Sequence, residues 1–251
     1  MRTAASLLAF ASVLTAAEAS VDEFLQRFTD EWMRLHTNLA ASTRYFSGPE
    51  QDAMERRIAP TATSEYRRAS RELAQRGLAE LRKFDRARMT DAQRKSANIV
   101  AEDLQEQLEA DRYEDFFFPL TQRGAHVALP AILSVSHPVN TPRDAENYVA
   151  RLRQLAPRME ENIERARELI QKKMMPPKFI LQEAISQIES FVSLPASQNA
   201  LVANFDQKME RVRTLPADKR AELRREAERM TAEQVYPAWK KAQKTSADCA
   251  G

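Results

Sequence analysis

At 251 residues with 43% apolar side chains, the chain is long enough to bury a substantial core, which excludes an intrinsically disordered polypeptide. Its 38 basic and 36 acidic side chains leave a formal charge of +2, which excludes the clustered cationic excess of a nucleic-acid-binding surface. Only four glycines stand against an abundance of Ala, Leu, Glu, Arg and Gln, so helix is favoured nearly everywhere and the fold class reads as all-α.

The first 19 residues carry Arg2, an apolar stretch over residues 4–17 and the small-x-small pattern Ala17-Glu18-Ala19. This is the pattern of a secretory signal peptide cleaved after Ala19, so the mature chain is expected to start at Ser20, in the periplasm or outside the cell. The stretch is too short to span a bilayer, and no later run approaches membrane length. No cysteine stands at the cleavage position, which argues against a lipid anchor.

Mature helices follow in order. The first is expected from Val21 to about Tyr45, with Phe24, Leu25, Phe28, Trp32, Leu35 and Leu39 on one face. Gly48-Pro49 breaks it, a short charged segment runs to Ile58, and Pro60 precedes a helix from about Thr63 to Asp85 that buries Tyr66, Leu73, Leu81 and Phe84. Thr90 and Gln93 have capping-box spacing ahead of a helix with Ala97, Val100, Leu104 and Leu108 inward. Over residues 115–140 the helical period is lost: Phe116, Phe117 and Phe118 meet Pro119, Gly124, Pro130 and Pro138, a composition that predicts a packed, irregular Pro/Phe-rich connection between helical layers.

Thr141-Pro142-Arg143-Asp144 then starts the longest helix, with Thr141 as cap, Pro142 in the first helical position and Asp144 near the positive helix end. Tyr148, Leu152, Leu155, Met159, Ile163, Ala166 and Ile170 recur at steps of three or four, one apolar stripe that other helices must cover. Met174-Met175-Pro176-Pro177 makes a corner before a helix carrying Ile180, Ala184, Ile188 and Phe191 inward, ended by Pro195. Further helices are expected over residues 197–214 and 217–244, the second kinked or stopped near Pro237. The whole is a multi-helix bundle over residues 20–251.

Chemistry-bearing patterns are sparse. His36, His126 and His137 are widely separated and none begins an HExxH pair, so no metal site is expected, and no catalytic residue can be chosen. Paired acids such as Glu160-Glu161 alternate with Arg and Lys at helical spacing, the mark of a solvated face. Cys249 is the single cysteine, which excludes an intrachain disulfide and reads as an inert residue on a fraying tail. The strings at 89–93 and 230–234 loosely resemble the Leu-Thr-x-x-Gln elements of small helical periplasmic chaperones, although helix capping accounts for residues 90–93.

Longer aperiodic strings carry more information: EWMRLHTNLAASTRYFSG at 31–48, GLAELRKFDRARMTDAQR at 77–94, DFFFPLTQRGAHVALP at 115–130, HPVNTPRDAENYVARL at 137–152, PPKFIL at 176–181 and QVYPAWKKA at 234–242. In that order they resemble the N-terminal part of the bacterial domain of unknown function 885 family, whose exported members are helical, zincin-like and metallopeptidase-related. The resemblance implies zinc bound by an HExxPGHH-type motif in the C-terminal half of longer members, a motif with no counterpart in these 251 residues. The expectation is therefore a truncated scaffold region without cofactor of its own and without catalytic activity alone. An interrupted gene, an N-terminal fragment, or a subunit completed by a separately encoded C-terminal half would each account for it, in that order.

A peptide substrate and self-association through an uncovered apolar face are the further implied partners. If this half lines a substrate cleft, His126, Tyr148 and Arg151 are the candidate substrate-facing residues, since helix ends and connections present polar groups to ligands. The simpler reading leaves Tyr148 in the core stripe and Arg151 in a surface ion pair. The competing functional class is a stand-alone, non-enzymatic binding or chaperone-like module.

Overall fold

The computed structural model describes residues 20–250, and the expected signal peptide and its cleavage position lie outside the described residues up to Ser20 itself. Helices α1 (Val21–Leu35), α2 (Thr37–Thr43), α3 (Gly48–Glu55), α4 (Ser64–Leu81) and α5 (Asp91–Ala110) precede α6 (Ala125–Ala131) and the long α7 (Pro142–Gln171). Helices α8 (Lys178–Ser193), α9 (Ala200–Glu210), α10 (Ala217–Met230) and α11 (Tyr236–Ala250) complete the chain. Strands are absent among the described residues, so the all-α bundle expected from composition is the observed fold.

Among the described residues three apolar clusters form, two of them large and a small one around Met33, Ala40 and Met54. Phe24 and Phe28 of α1 meet Leu73, Leu78 and Leu81 of α4 and Ala97 and Leu104 of α5. The close packing of α4 needs Gly77, where a Cβ would sit 2.4 Å from the Phe28 ring. The larger core joins α7 to α8, α9, α10 and α11, with Trp239 and Phe205 among its fully buried side chains. The predicted α7 stripe is buried from Tyr148 through Ala166, with Leu169 rather than Ile170 at its far end.

Capping chemistry explains where several helices start. Ser20 with Glu23, Thr90 with Gln93 and Thr141 with Asp144 all form complete capping boxes, satisfying N–H groups that an α-helix leaves open. The predicted first helix is instead divided at His36, whose Nδ1 bonds the Trp32 carbonyl at 2.9 Å while its ring stacks on Trp32. Leu39, expected inward, is exposed beyond that break. Gly48-Pro49 does not simply end a helix but opens α3, with Gly48 at φ +58°.

The central connection is irregular as expected, but it contains α6 and a π-helical turn, Ile132–Ser136. Of the three phenylalanines only Phe118 enters the core; Phe116 and Phe117 are exposed. The helix expected over residues 217–244 is interrupted near Pro237: α10 ends at Met230, a second π-helical turn, Thr231–Val235, follows, and α11 begins at Tyr236 with Pro237 in its first turn. Cys249 does not sit on a frayed tail: it lies in α11, half-buried against the larger core, with its thiol donating to the Thr245 carbonyl.

Candidate functional site

Helix α7 has two working faces. Beside its apolar stripe, about a quarter turn around the helix, Asp144, Asn147, Arg151 and Gln154 recur at steps of three and four and face the segment 38–59 of the N-terminal layer. Asp144 Oδ2 accepts the Asn140 and Thr141 N–H groups at 2.8 and 3.0 Å, and both carboxylate oxygens accept from Arg44 Nη2 at 3.1 Å. Arg44 closes α2 in the left-handed region at φ 49°, a strained conformation for a residue with a Cβ. Its Nη2, shared between the two oxygens of the buried Asp144, makes a charge-assisted contact that holds it there.

Asn147 donates to Asp52 at 2.9 Å and accepts from Arg56 at 3.2 Å. Arg143 pairs with Asp52, and this guanidinium holds the Asp52 carboxyl down at about 2. Gln154 accepts the Ile58 N–H at 3.0 Å and donates to the Arg56 carbonyl. The result is a polar seam joining the two layers, in which most contacts span about ninety or more residues of sequence.

Its hub is His137, 1% exposed. Nε2 meets the Asp144 carbonyl at 3.0 Å, which only a ring N–H can satisfy, and Nδ1 faces Arg151 Nη1 at 3.2 Å, which only a lone pair can satisfy. The contacts therefore fix the neutral Nε2–H tautomer. Burial is the main force bringing its pKa down to about 4, with the Arg151 and Lys208 cations acting in the same direction and the Asp144 carbonyl against them.

Arg151 also donates from Nε to the Arg57 carbonyl at 2.8 Å and from Nη2 to Asn38 at 3.2 Å. Burial lowers its pKa to about 10, so it is still a cation at neutral pH. Tyr148, fully buried, donates to the Leu201 carbonyl at 2.8 Å, stacks on Phe205 at 4.0 Å and meets the His137 ring edge-on at 5.5 Å. Burial raises its phenol pKa, keeping it protonated.

Of the three residues singled out from sequence, the fold thus brings Tyr148 and Arg151 together around His137 and leaves His126 elsewhere. His126 lies on α6, buried, with Nε2 at 2.9 Å from Gln187 of α8 and its carbonyl accepting from Trp239 of α11. Its Nδ1 has no partner among the described residues, and burial lowers its pKa. All three side chains are inside the chain rather than on its surface. Arg151 is not in a surface ion pair; it cross-links the layers.

His137 was the residue sequence reasoning passed over. The readable signal was the polar stripe at 144, 147, 151 and 154, periodic like the apolar one, with a histidine just upstream of its cap. Chemically the seam is an internal weld: its histidine has both nitrogens spent, its phenol cannot ionise near neutrality, and its guanidinium points inward.

Fold and seam together define an all-α bundle organised about one two-faced helix. The family model described as bacterial protein of unknown function (DUF885) matches residues 14–248, and the chain belongs to that family. No curated protein matches significantly. A crystal structure from Colwellia psychrerythraea, of a protein described as a lipoprotein, is similar with a TM-score of 0.68 at 19% identity, over 92% of this chain and 42% of that one. The chain thus spans less than half the length of that protein, and the likeness is one of fold. Among the described residues no helix is long and apolar enough to cross a membrane.

Proposed function

We propose that residues 20–251 form the exported helical scaffold region of a zincin-like, peptidase-related hydrolase, and that the water-activating zinc of such an enzyme is held by residues outside this chain. The supporting observation is that each histidine makes a hydrogen bond inside the bundle and none lies in a set of metal ligands among the described residues. His36 bonds the Trp32 carbonyl, His126 bonds Gln187, and His137 bonds both Arg151 and the Asp144 carbonyl. Among the described residues no group of three or more His, Cys, Asp or Glu side chains is arranged to hold a metal ion. A zincin needs three protein ligands around an open fourth position and a carboxylate to take the proton of the bound water.

In this reading Tyr148, Arg151 and His126 shape a substrate-side wall by fixing α7, α9 and α6, and a peptide meets the surfaces those helices carry. The chain is completed by a C-terminal half, on the same or a separate polypeptide. Export fits the start of α1: Ser20 is its cap, and its N–H donates to Glu23 at 2.8 Å, so cleavage after Ala19 removes no part of the helix. The test is equilibrium dialysis of the mature chain against zinc. Binding well below one ion per chain is expected; one tightly held ion per chain would overturn the proposal.

A non-enzymatic binding module is the second reading, favoured by the exposed Tyr113, Phe116 and Phe117. Suppression of aggregation of an unfolded protein, lost on replacing both phenylalanines with serine, would select it.

A further inference from the structure

A cleft of about 350 Å³ lies where the π-helical turn Ile132–Ser136 and the following strand-like segment approach α9, and it is within the size range of small-molecule sites. Its polar side chains are Lys208, Arg211, Ser136 and Asn140, each able to donate, over the buried His137, with no carboxylate among the lining residues. Lys208 Nζ donates to the Leu133 and His137 carbonyls at 3.3 and 2.8 Å. These contacts fix the ammonium at the cleft and use two of its three N–H groups.

The charge there is uncompensated. The acids of α9 are taken elsewhere, Asp206 by Arg220 and Arg224 and Glu210 by Arg220, and neither Lys208 nor Arg211 forms an ion pair among the described residues. Behind the cleft, Asp144 is neutralised by Arg44. A half-buried ammonium without a counter-charge is costly, and burial accordingly lowers the Lys208 pKa. Two cations and two neutral side chains able to donate lining one opening suit an oxyanion, for which a planar guanidinium can grip two oxygens and a lysine supply a point charge. The exposed Val135 and the Pro138 ring add apolar surface at the rim.

We infer that this cleft binds a small oxyanion, a carboxylate or a phosphate, between Arg211 and Lys208. The inference stands independently of the hydrolase reading, since it uses only these side chains. Isothermal titration of the mature chain with inorganic phosphate, with a short N-acetylated peptide bearing a free C-terminal carboxylate, and with the same peptide amidated tests it. Saturable binding that weakens at least tenfold in Arg211→Ala is expected. Arg211 is exposed and unpaired, so this variant is expected to fold. Binding of the free peptide but not the amidated one identifies a peptide carboxylate as the source; binding of phosphate alone identifies phosphate. No saturable binding of any probe, or binding that Arg211→Ala leaves unchanged, overturns the assignment.

Discussion

Acidification probes the seam through His137. Its folded pKa of about 4 lies below the ordinary 6.5, so between those values the unfolded chain binds more protons than the folded one. Stability is therefore complete above pH 6.5, falls as pH drops toward 4, and levels off below that. An interval of about 2.5 units corresponds to about 3 kcal/mol in total, of which about 2 kcal/mol is lost between pH 7 and pH 5. Burial lowers the pKa of His36 and His126 in the same direction, so the wild-type loss alone does not isolate His137. Asp52, held at about 2, begins to cost stability only below the window.

The comparison that isolates the hub is His137→Gln, whose amide can still donate to the Asp144 carbonyl but does not titrate. Urea unfolding at pH 7 and pH 5 is expected to show the wild type losing about 2 kcal/mol more than the variant. Equal losses would refute the assignment of His137 as a buried neutral group. An NMR titration of the ring in the folded wild type gives the same answer directly: a midpoint near 4 is expected, and one near 6.5 contradicts the geometry.

Arg151→Met leaves the Arg57 carbonyl and His137 Nδ1 without their donor, while the Asn38 oxygen keeps only the Ala59 N–H, and a loss of about 3–5 kcal/mol in urea unfolding is expected. Thr141→Ala removes the acceptor for the Asp144 N–H and should cost about 1 kcal/mol, with Thr141→Ser close to wild type. Gly77→Ala places a Cβ against the Phe28 ring. The overpacking, about 1–3 kcal/mol, outweighs the helix-propensity gain of about 1 kcal/mol, so a lowered melting temperature is expected.

The helical class, the start of α7 and its apolar stripe were legible because each rests on local rules: propensity, capping and the 3.6-residue period. The polar seam was harder to read because the same period serves a solvated face and a buried one. Arg151 becomes a cross-link only when residues 38 and 57 arrive from a distant part of the chain. The break at His36 depends on a ring stacking back on Trp32, and the interruption before Pro237 takes the form of a π-helical turn; neither detail has a local signature as clear as Gly or Pro. Three consecutive phenylalanines could not all face one layer, yet which of them turned inward was decided by packing. The donor-lined cleft draws on residues some seventy positions apart in sequence, which no single-segment pattern could assemble.

The most direct measurement is peptide hydrolysis by the purified 20–251 chain with zinc supplied and with a chelator added. No chelator-sensitive cleavage is expected, because among the described residues no three or more His, Cys, Asp or Glu side chains are arranged to hold a metal ion. Turnover that the chelator abolishes and zinc restores would contradict the claim that this chain is a scaffold without its own water-activating centre.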